Sequence, residues 1–150
     1  MLNYRRIEEA DNKRIAEIIR ANLKKYRLDI PGTAYFDPEL GRLSAYYNDD
    51  MSKRAYFVAI DEDGQVVGGA GAAEFEGIKD CAELQKLYFD DSVKGKGYGK
   101  ELMNIVENWA KSAGFRYLYL ETHTNLSTAL KPYEKTGFRR IKQPCSTVHT

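Results

Sequence analysis

Apolar positions along this chain keep two rhythms, one of three and four residues and one of two. A first strand is expected over Tyr4 to Glu8. Asp11 then stands as an N-cap before Ile15, Ile18, Ile19 and Leu23, the spacing of an amphipathic helix. The pattern fades at Lys24 and Lys25. Leu28 to Pro38 holds two prolines and a glycine and reads as a loop, although it is rich in apolar and aromatic residues. Pro38, Glu39 and Leu40 open a short second helix through Tyr47. Tyr56 to Ile60 is β-branched and aromatic, and Asp63 followed by Gly64 signals a hairpin into a strand over Val66 to Phe75. That strand carries Gly68, Gly69, Ala70, Gly71, Ala72 and Ala73. Either tight packing under a helix or room for a ligand accounts for so little side chain. Cys81 to Phe89 reads as the next strand. Leu102, Met103, Val106, Trp109, Ala110 and Ala113 mark a helix over Glu101 to Ala113, stopped by Gly114. Tyr117 to Thr122 follows as a strand, so the long helix joins two strands and implies parallel pairing. Leu126 to Thr136 is predicted as a helix despite Pro132, and Phe138 to Ile141 as a last short strand.

The turn in front of the long helix holds the first chemistry. Val93, Lys94, Gly95, Lys96, Gly97, Tyr98, Gly99 and Lys100 lead into it. Glycines let the backbone turn sharply and approach a ligand closely. A helix N-terminus offers unpaired N–H groups and roughly half a positive charge, which suits a phosphate. Lys94, Lys96 and Lys100 add full charges nearby. A Walker loop needs a glycine where Lys94 stands and Ser or Thr where Glu101 stands. The dinucleotide fingerprint fails as well, since Lys100 or Leu102 occupies the place of its last glycine. The turn instead resembles motif A of the GCN5-related N-acetyltransferases (GNAT), Q/R-x-x-G-x-G/A, with Lys94, Gly97 and Gly99 in its first, fourth and sixth places. Lys94 departs from the family's Gln or Arg; it keeps the charge without the planar fork of Arg. The resemblance implies that loop and helix hold the pyrophosphate of acetyl-CoA through Lys94, Gly95, Lys96, Gly97, Tyr98, Gly99 and Lys100.

A second stretch strengthens it. Ala129, Tyr133, Glu134, Lys135, Gly137 and Phe138 fill every lettered place of A-x-x-x-Y-E-K-x-G-F, the motif that closes the CoA site in this family. By resemblance Tyr133 is the general acid that protonates the departing CoA sulfur; a core tyrosine is the other reading. Asn125 corresponds to a residue that bonds the CoA arm, with a helix N-cap as its rival. His123 reads as a loop residue rather than a base. The strand Ala82 to Phe89 resembles the family's fourth strand, whose splayed edge binds the pantetheine arm and the thioester oxygen through backbone groups, here those of Leu87 and Phe89. Strict alternation places Glu83, Gln85, Leu87 and Phe89 on one face. Glu83 stands where the histone-modifying branch of the family keeps its glutamate base. A solvated carboxylate, or an ion pair with Lys86 or a helix lysine, is the alternative, and Glu74 and Glu76 are rival bases. On the loop, Asp29, Tyr35, Asp37 and Glu39 either receive a cationic amine or pack as ordinary surface.

The implied fold is α/β (α+β), a mixed, mostly antiparallel twisted sheet with a central splayed parallel pair, flanked by about four helices. At 150 residues one domain over 1–150 is expected, its closing C-terminal strand rudimentary or cut short. The implied activity is transfer of the acetyl group of acetyl-CoA to an amine of a small molecule or peptide. The resemblance also implies direct attack in a ternary complex, since neither Cys81 nor Cys145 sits where a covalent intermediate needs one. A CoA-binding regulatory module without turnover is the alternative. Composition narrows the rest. A formal charge of +1 gives no field toward nucleic acid or membrane. The two cysteines and two histidines show no metal-ligand spacing, so no metal is expected. Two separated thiols and no signal-like segment after Met1 point to a reducing cytoplasm. A monomer or homodimer is expected.

Overall fold

The computed structural model describes residues 1–25, 27, 38, 40–121, 128–132 and 139–140, with residues beyond 119 described by backbone only. The described strands form one sheet in chain order: β1 (Asn3–Arg6), β2 (Arg54–Ile60), β3 (Val66–Glu74), β4 (Cys81–Phe89), β5 (Tyr117–Glu121), β6 (Thr128–Pro132) and β7 (Arg139–Arg140). Each neighbouring pair is antiparallel except β4 and β5, which run parallel. The crossover between them is the helix α3 (Tyr98–Ser112). This is the mixed sheet with one central parallel pair that the sequence implies.

Helices cover both faces. α1 (Asn12–Lys25) and α2 (Leu43–Asn48) pack on one side, where Ile15, Ile18, Ile19, Leu23, Leu43 and Tyr47 meet Tyr56 and Val58. α3 packs on the other, where Leu102, Val106 and Ala110 meet Ala70, Ala72, Leu84 and Leu118. Burial of β3 from both sides explains why it reads as an uninterrupted apolar run. α3 ends as expected. Gly114 takes φ +99°, its N–H reaches the Lys111 carbonyl at 3.1 Å, and the Phe115 N–H reaches the Ala110 carbonyl at 3.0 Å. Those paired bonds across a left-handed residue stop a helix. Among the described residues no helix is long and apolar enough to cross a membrane.

Two sequence expectations are corrected. Asp11 is not the N-cap of α1. Its carboxylate accepts the Glu8 N–H at 2.8 Å and the Arg5 guanidinium at 2.7 and 3.0 Å, closing a short 3-10 turn ahead of the helix. The helix expected over Leu126 to Thr136 is a strand over Thr128–Pro132, paired with β5 from Tyr117 opposite Pro132 to Glu121 opposite Thr128. Pro132 lacks an N–H for a helical bond and its ring would press on the carbonyl four residues back, at Thr128. It also biases Lys131 toward extended backbone. The described α-helices are therefore α1, α2 and α3, and a fourth α-helix is not among the described residues. Residues 126–127 and 133–136 lie outside the described residues.

The glycine run resolves in favour of packing, and rings occupy the space. A Cβ on Gly69 would stand 2.8 Å from Tyr56 Oη, and one on Gly71 would stand 2.7 Å from Tyr56 Cδ2. A Cβ on Gly68 would stand 2.8 Å from Phe89 Cε1. The fully buried Tyr56 ring thus lies flat across β3, and Phe89 covers its start. Gly69→Ala is expected to cost about 1–3 kcal/mol, since neither ring nor backbone can yield cheaply. Gly41→Ala, whose added carbon meets nothing within 4 Å, should stay within about 0.5 kcal/mol of the parent. Urea midpoints of the two variants check this; equal midpoints would refute the packing account.

Candidate active site

One irregularity in β4 decides which of its side chains share a face. Pairing with β3 jumps from Gly69 opposite Tyr88 to Gly71 opposite Gln85, so Ala70 faces both Lys86 and Leu87. This is a β-bulge, with Lys86 at φ +52°. The Tyr56 hydroxyl donates to the Lys86 carbonyl at 2.8 Å and secures it. One surplus residue shifts the alternation by one. Before the bulge, Ala82 and Leu84 face α3 while Gln85 bonds to Tyr47 of α2. After it, Leu87 and Phe89 face α3 and Tyr88 turns to the α1 side. The expectation that Glu83, Gln85, Leu87 and Phe89 share a face is therefore corrected: the first two lie on the α2 side and the last two on the α3 side.

The parallel pair also opens here. β4 meets β5 at Cys81 with Tyr117, Ala82 with Leu118 and Glu83 with Tyr119, and among the described residues the pairing goes no farther. β4 runs on to Phe89, whereas β5 follows β6. The gap past Glu83 is the splay that the sequence implies.

Beyond Phe89 the chain enters the glycine turn. Asp90 accepts the Ser92 N–H at 3.1 Å and the Ser92 hydroxyl at 2.5 Å, and those bonds hold its carboxyl below the usual range. Asp91 accepts from Lys94 at 2.8 Å and from Lys25 at 3.4 Å, which likewise lowers its pKa. Gly95 and Gly97 take φ +78° and +84°, a region costly for residues with a Cβ. The first helical bond of α3 runs from the Glu101 N–H to the Gly97 carbonyl at 3.3 Å. The amides of Tyr98, Gly99 and Lys100 precede it, and Gly97 at the N-cap has no side chain with which to cap them. Lys96 and Lys100 are exposed. Leu87, Val93 and Tyr98 all pack against the buried cluster that contains Phe89, so turn, helix start and strand end share one core.

Lys94 behaves differently from the other lysines. Its ammonium sits 2.5 Å from Asn22 Oδ1 as well as 2.8 Å from Asp91 Oδ1. Asn22 is buried in α1 and also donates to the carbonyls of Ile18 at 2.8 Å and Phe89 at 2.9 Å. One amide thus ties α1 to the end of β4 and to the turn. Sequence reasoning missed Asn22, although a signal was present: it falls on the apolar stripe of Ile15, Ile18, Ile19 and Leu23, where a polar residue needs a buried partner.

Glu83 is half-buried, and its Oε1 accepts from Gln85 Nε2 at 2.8 Å. Gln85 Oε1 accepts from the Tyr47 hydroxyl at 2.6 Å. The rival Glu74 is engaged by the Arg54 guanidinium at 3.0 to 3.3 Å. Glu76 lines a shallow, open depression of about 590 Å³ with Lys53, Lys79 and Asp80, beside the start of β4 and the end of α3. That is the opposite end of the parallel pair from the splay. Among the described residues no group of His, Cys, Asp and Glu is arranged to hold a metal. Tyr133, Asn125 and His123 lie outside the described residues, as do Asp29, Tyr35, Asp37 and Glu39.

Known proteins share this architecture. Residues 17–138 match the family model described as the acetyltransferase (GNAT) family. The chain is 38% identical over 139 residues to the Escherichia coli (strain K12) protein named uncharacterized N-acetyltransferase YjgM, covering 91% of this chain and 81% of that one. Its fold is similar to that of the PaiA N-acetyltransferase from Thermoplasma acidophilum, solved in complex with coenzyme A. There the TM-score is 0.65 and the identity 19%, with 84% of this chain and 82% of that one covered. It is also similar to a phosphinothricin acetyltransferase from Sinorhizobium meliloti in complex with AcCoA. That match has TM-score 0.64 and 26% identity, covering 79% of this chain and 64% of that one.

Asn22→Ala should leave the Phe89 carbonyl and the Lys94 ammonium without this partner at a cost of about 2 kcal/mol. A lowered denaturant midpoint with an unchanged slope is the expected reading. A parental midpoint would show that the amide ties nothing.

Proposed function

This chain belongs to the acetyltransferase (GNAT) family, and we propose on that footing that it transfers the acetyl group of acetyl-CoA to a primary amine by direct attack in a ternary complex. The observation that carries the reading is the start of α3, a helix N-terminus without a capping side chain, set behind two left-handed glycines and beside the open end of β4. The diphosphate of acetyl-CoA rests on the amides from Gly95 to Lys100, with Lys96 and Lys100 supplying charge. Lys94 serves by fixing the turn, because its ammonium is engaged by Asn22 and Asp91. The run of β4 past Glu83 offers backbone groups of Leu87 and Phe89 to the pantetheine arm and the thioester oxygen. N–H groups aimed in advance stabilise the charge that grows on that oxygen. Asn125 adds a side-chain bond to the same arm.

Glu83 receives the proton of the amine. Carboxylates are far weaker bases than amines, so transfer, directly or through water, is driven as the new C–N bond makes the nitrogen acidic. The C–S bond then breaks, and Tyr133 gives its proton to the departing thiolate. The acceptor is a small-molecule or peptide amine.

Two measurements test this reading. Gly97→Ala and Gly64→Ala place the same residue at nearly the same backbone angle, φ +84° and +80°, with nothing within 4 Å of the added carbon. Both should lose about 1–2 kcal/mol of stability. Only Gly97→Ala should weaken CoA binding in calorimetry; equal affinities would move the diphosphate elsewhere. A panel of polyamines, amino acids, amino sugars and lysine peptides, read by mass, should contain an acetylated amine. With it, Glu83→Gln should lower kcat by about 100-fold, and Tyr133→Phe should slow thiol release. Full activity in Glu83→Gln would remove that residue from the mechanism.

A further inference from the structure

The wall between α2 and β4 carries a directed chain of three polar side chains. Tyr47 Oη lies 2.6 Å from Gln85 Oε1, and Gln85 Nε2 lies 2.8 Å from Glu83 Oε1. Charge fixes the direction. An ionised carboxylate only accepts, so Gln85 must present its N–H to Glu83. Its carbonyl oxygen is then left for Tyr47, whose hydroxyl must donate. Reversing the amide would set two oxygens against each other.

Core packing alone does not call for that hydroxyl. Tyr47 is fully buried, edge-on to Tyr46 at 4.9 Å and tilted against Tyr56 at 5.1 Å between ring centroids. A phenylalanine fills the same space and leaves the β4 ladder untouched. What the two neighbouring rings accomplish is to hold the hydroxyl in one place. α2 itself is anchored: Asn12 of α1 donates to Ser44 Oγ at 2.8 Å and accepts the Ser44 N–H at 2.9 Å. Tyr56 meanwhile fixes the bulge one residue past Gln85. The Tyr47 end of the chain is thus held by the scaffold, as is the backbone beside Gln85.

We propose that Tyr47 is a positioning residue for acetyl transfer, acting through Gln85 to hold the Glu83 carboxylate in the orientation that takes the amine proton. The inference rests on the reading of Glu83 as the base. A hydrogen bond to one carboxylate oxygen narrows the orientations that the group samples, and each orientation lost from the productive set lowers the rate.

The test uses the full chain and the free amine that the panel above identifies as the acceptor, with CoA calorimetry as the check on folding. Tyr47→Phe and Gln85→Leu should each lower kcat by about tenfold, the worth of one oriented hydrogen bond. The KM for acetyl-CoA should stay within about twofold of the parent. The double variant should be no worse than the worse single, because both break one chain. A tyrosine that only packs would leave kcat unchanged. Full kcat in Tyr47→Phe, with Glu83→Gln inactive, overturns the inference and leaves the base reading standing; full kcat in Glu83→Gln removes both. A second arm needs no amine. The side-chain amide signals of Gln85, recognised by their absence in Gln85→Leu, should move in Tyr47→Phe and in Glu83→Gln. Signals that stay in place overturn the chain itself.

Discussion

The hydrogen bond from the Tyr56 hydroxyl to the Lys86 carbonyl secures the one place where β4 carries an extra residue. Three features meet there. Lys86 occupies a left-handed backbone angle, which is unfavourable for a side chain of its length and needs support from its surroundings. The Tyr56 ring supplies that support from across β3, and can do so only because Gly69 and Gly71 leave it room. The bulge in turn reverses which residues face which layer. Without it, Glu83 and Phe89 would project to the same side. With it, a polar pair looks toward α2 and an apolar pair looks toward α3. One strand of nine residues thereby serves two different surfaces.

A second junction links the same strand to the helix turn. Asn22 reaches the Phe89 carbonyl and the Lys94 ammonium from within α1. Asp91 partners Lys94 as well, and its carboxyl is held low by that lysine and by Lys25. Of the three lysines in the turn, Lys94 is therefore engaged within the fold, while Lys96 and Lys100 extend into solvent. This division has a physical reason. A buried amide and a flanking carboxylate make a fixed anchor, whereas an exposed ammonium keeps its rotamers and follows whatever charge approaches.

Much of this was legible in the sequence, and the failures have distinct causes. The glycine turn, the helix after it and the parallel crossover follow from local chemistry: left-handed glycines, three-four spacing and a helix between two strands. The hairpin at Asp63 and Gly64 does too. Alternation along β4 failed because a bulge leaves no mark in residue type; Lys86 looks like any strand lysine. The glycines of β3 were recognised as unusual, but their partner, Tyr56, lies on another strand, and only the register places it over them. The segment containing Pro132 misled because Leu130 and the residues around it suit a helix, while the open edge of β5 offered a ladder instead. Asn22 and Tyr47 were hidden for a shared reason. Each sits among apolar neighbours at helical spacing, where its polar atom reads as an exception until its partner is seen.

The two surfaces of β4 imply different kinds of recognition. Toward the turn, the groups on offer are backbone amides and glycines, fixed by helix geometry and indifferent to side-chain identity. Toward α2 they are side chains, Glu83, Gln85 and Tyr47, joined in a chain whose direction depends on every member. On the proposed reading the first surface meets the cofactor and the second the amine. A fold arranged this way can keep one donor while its acceptor changes, because substitutions on the α2 side leave the helix amides where they are. The bulge makes that separation possible: it alone places the polar pair and the apolar pair of one strand in different layers.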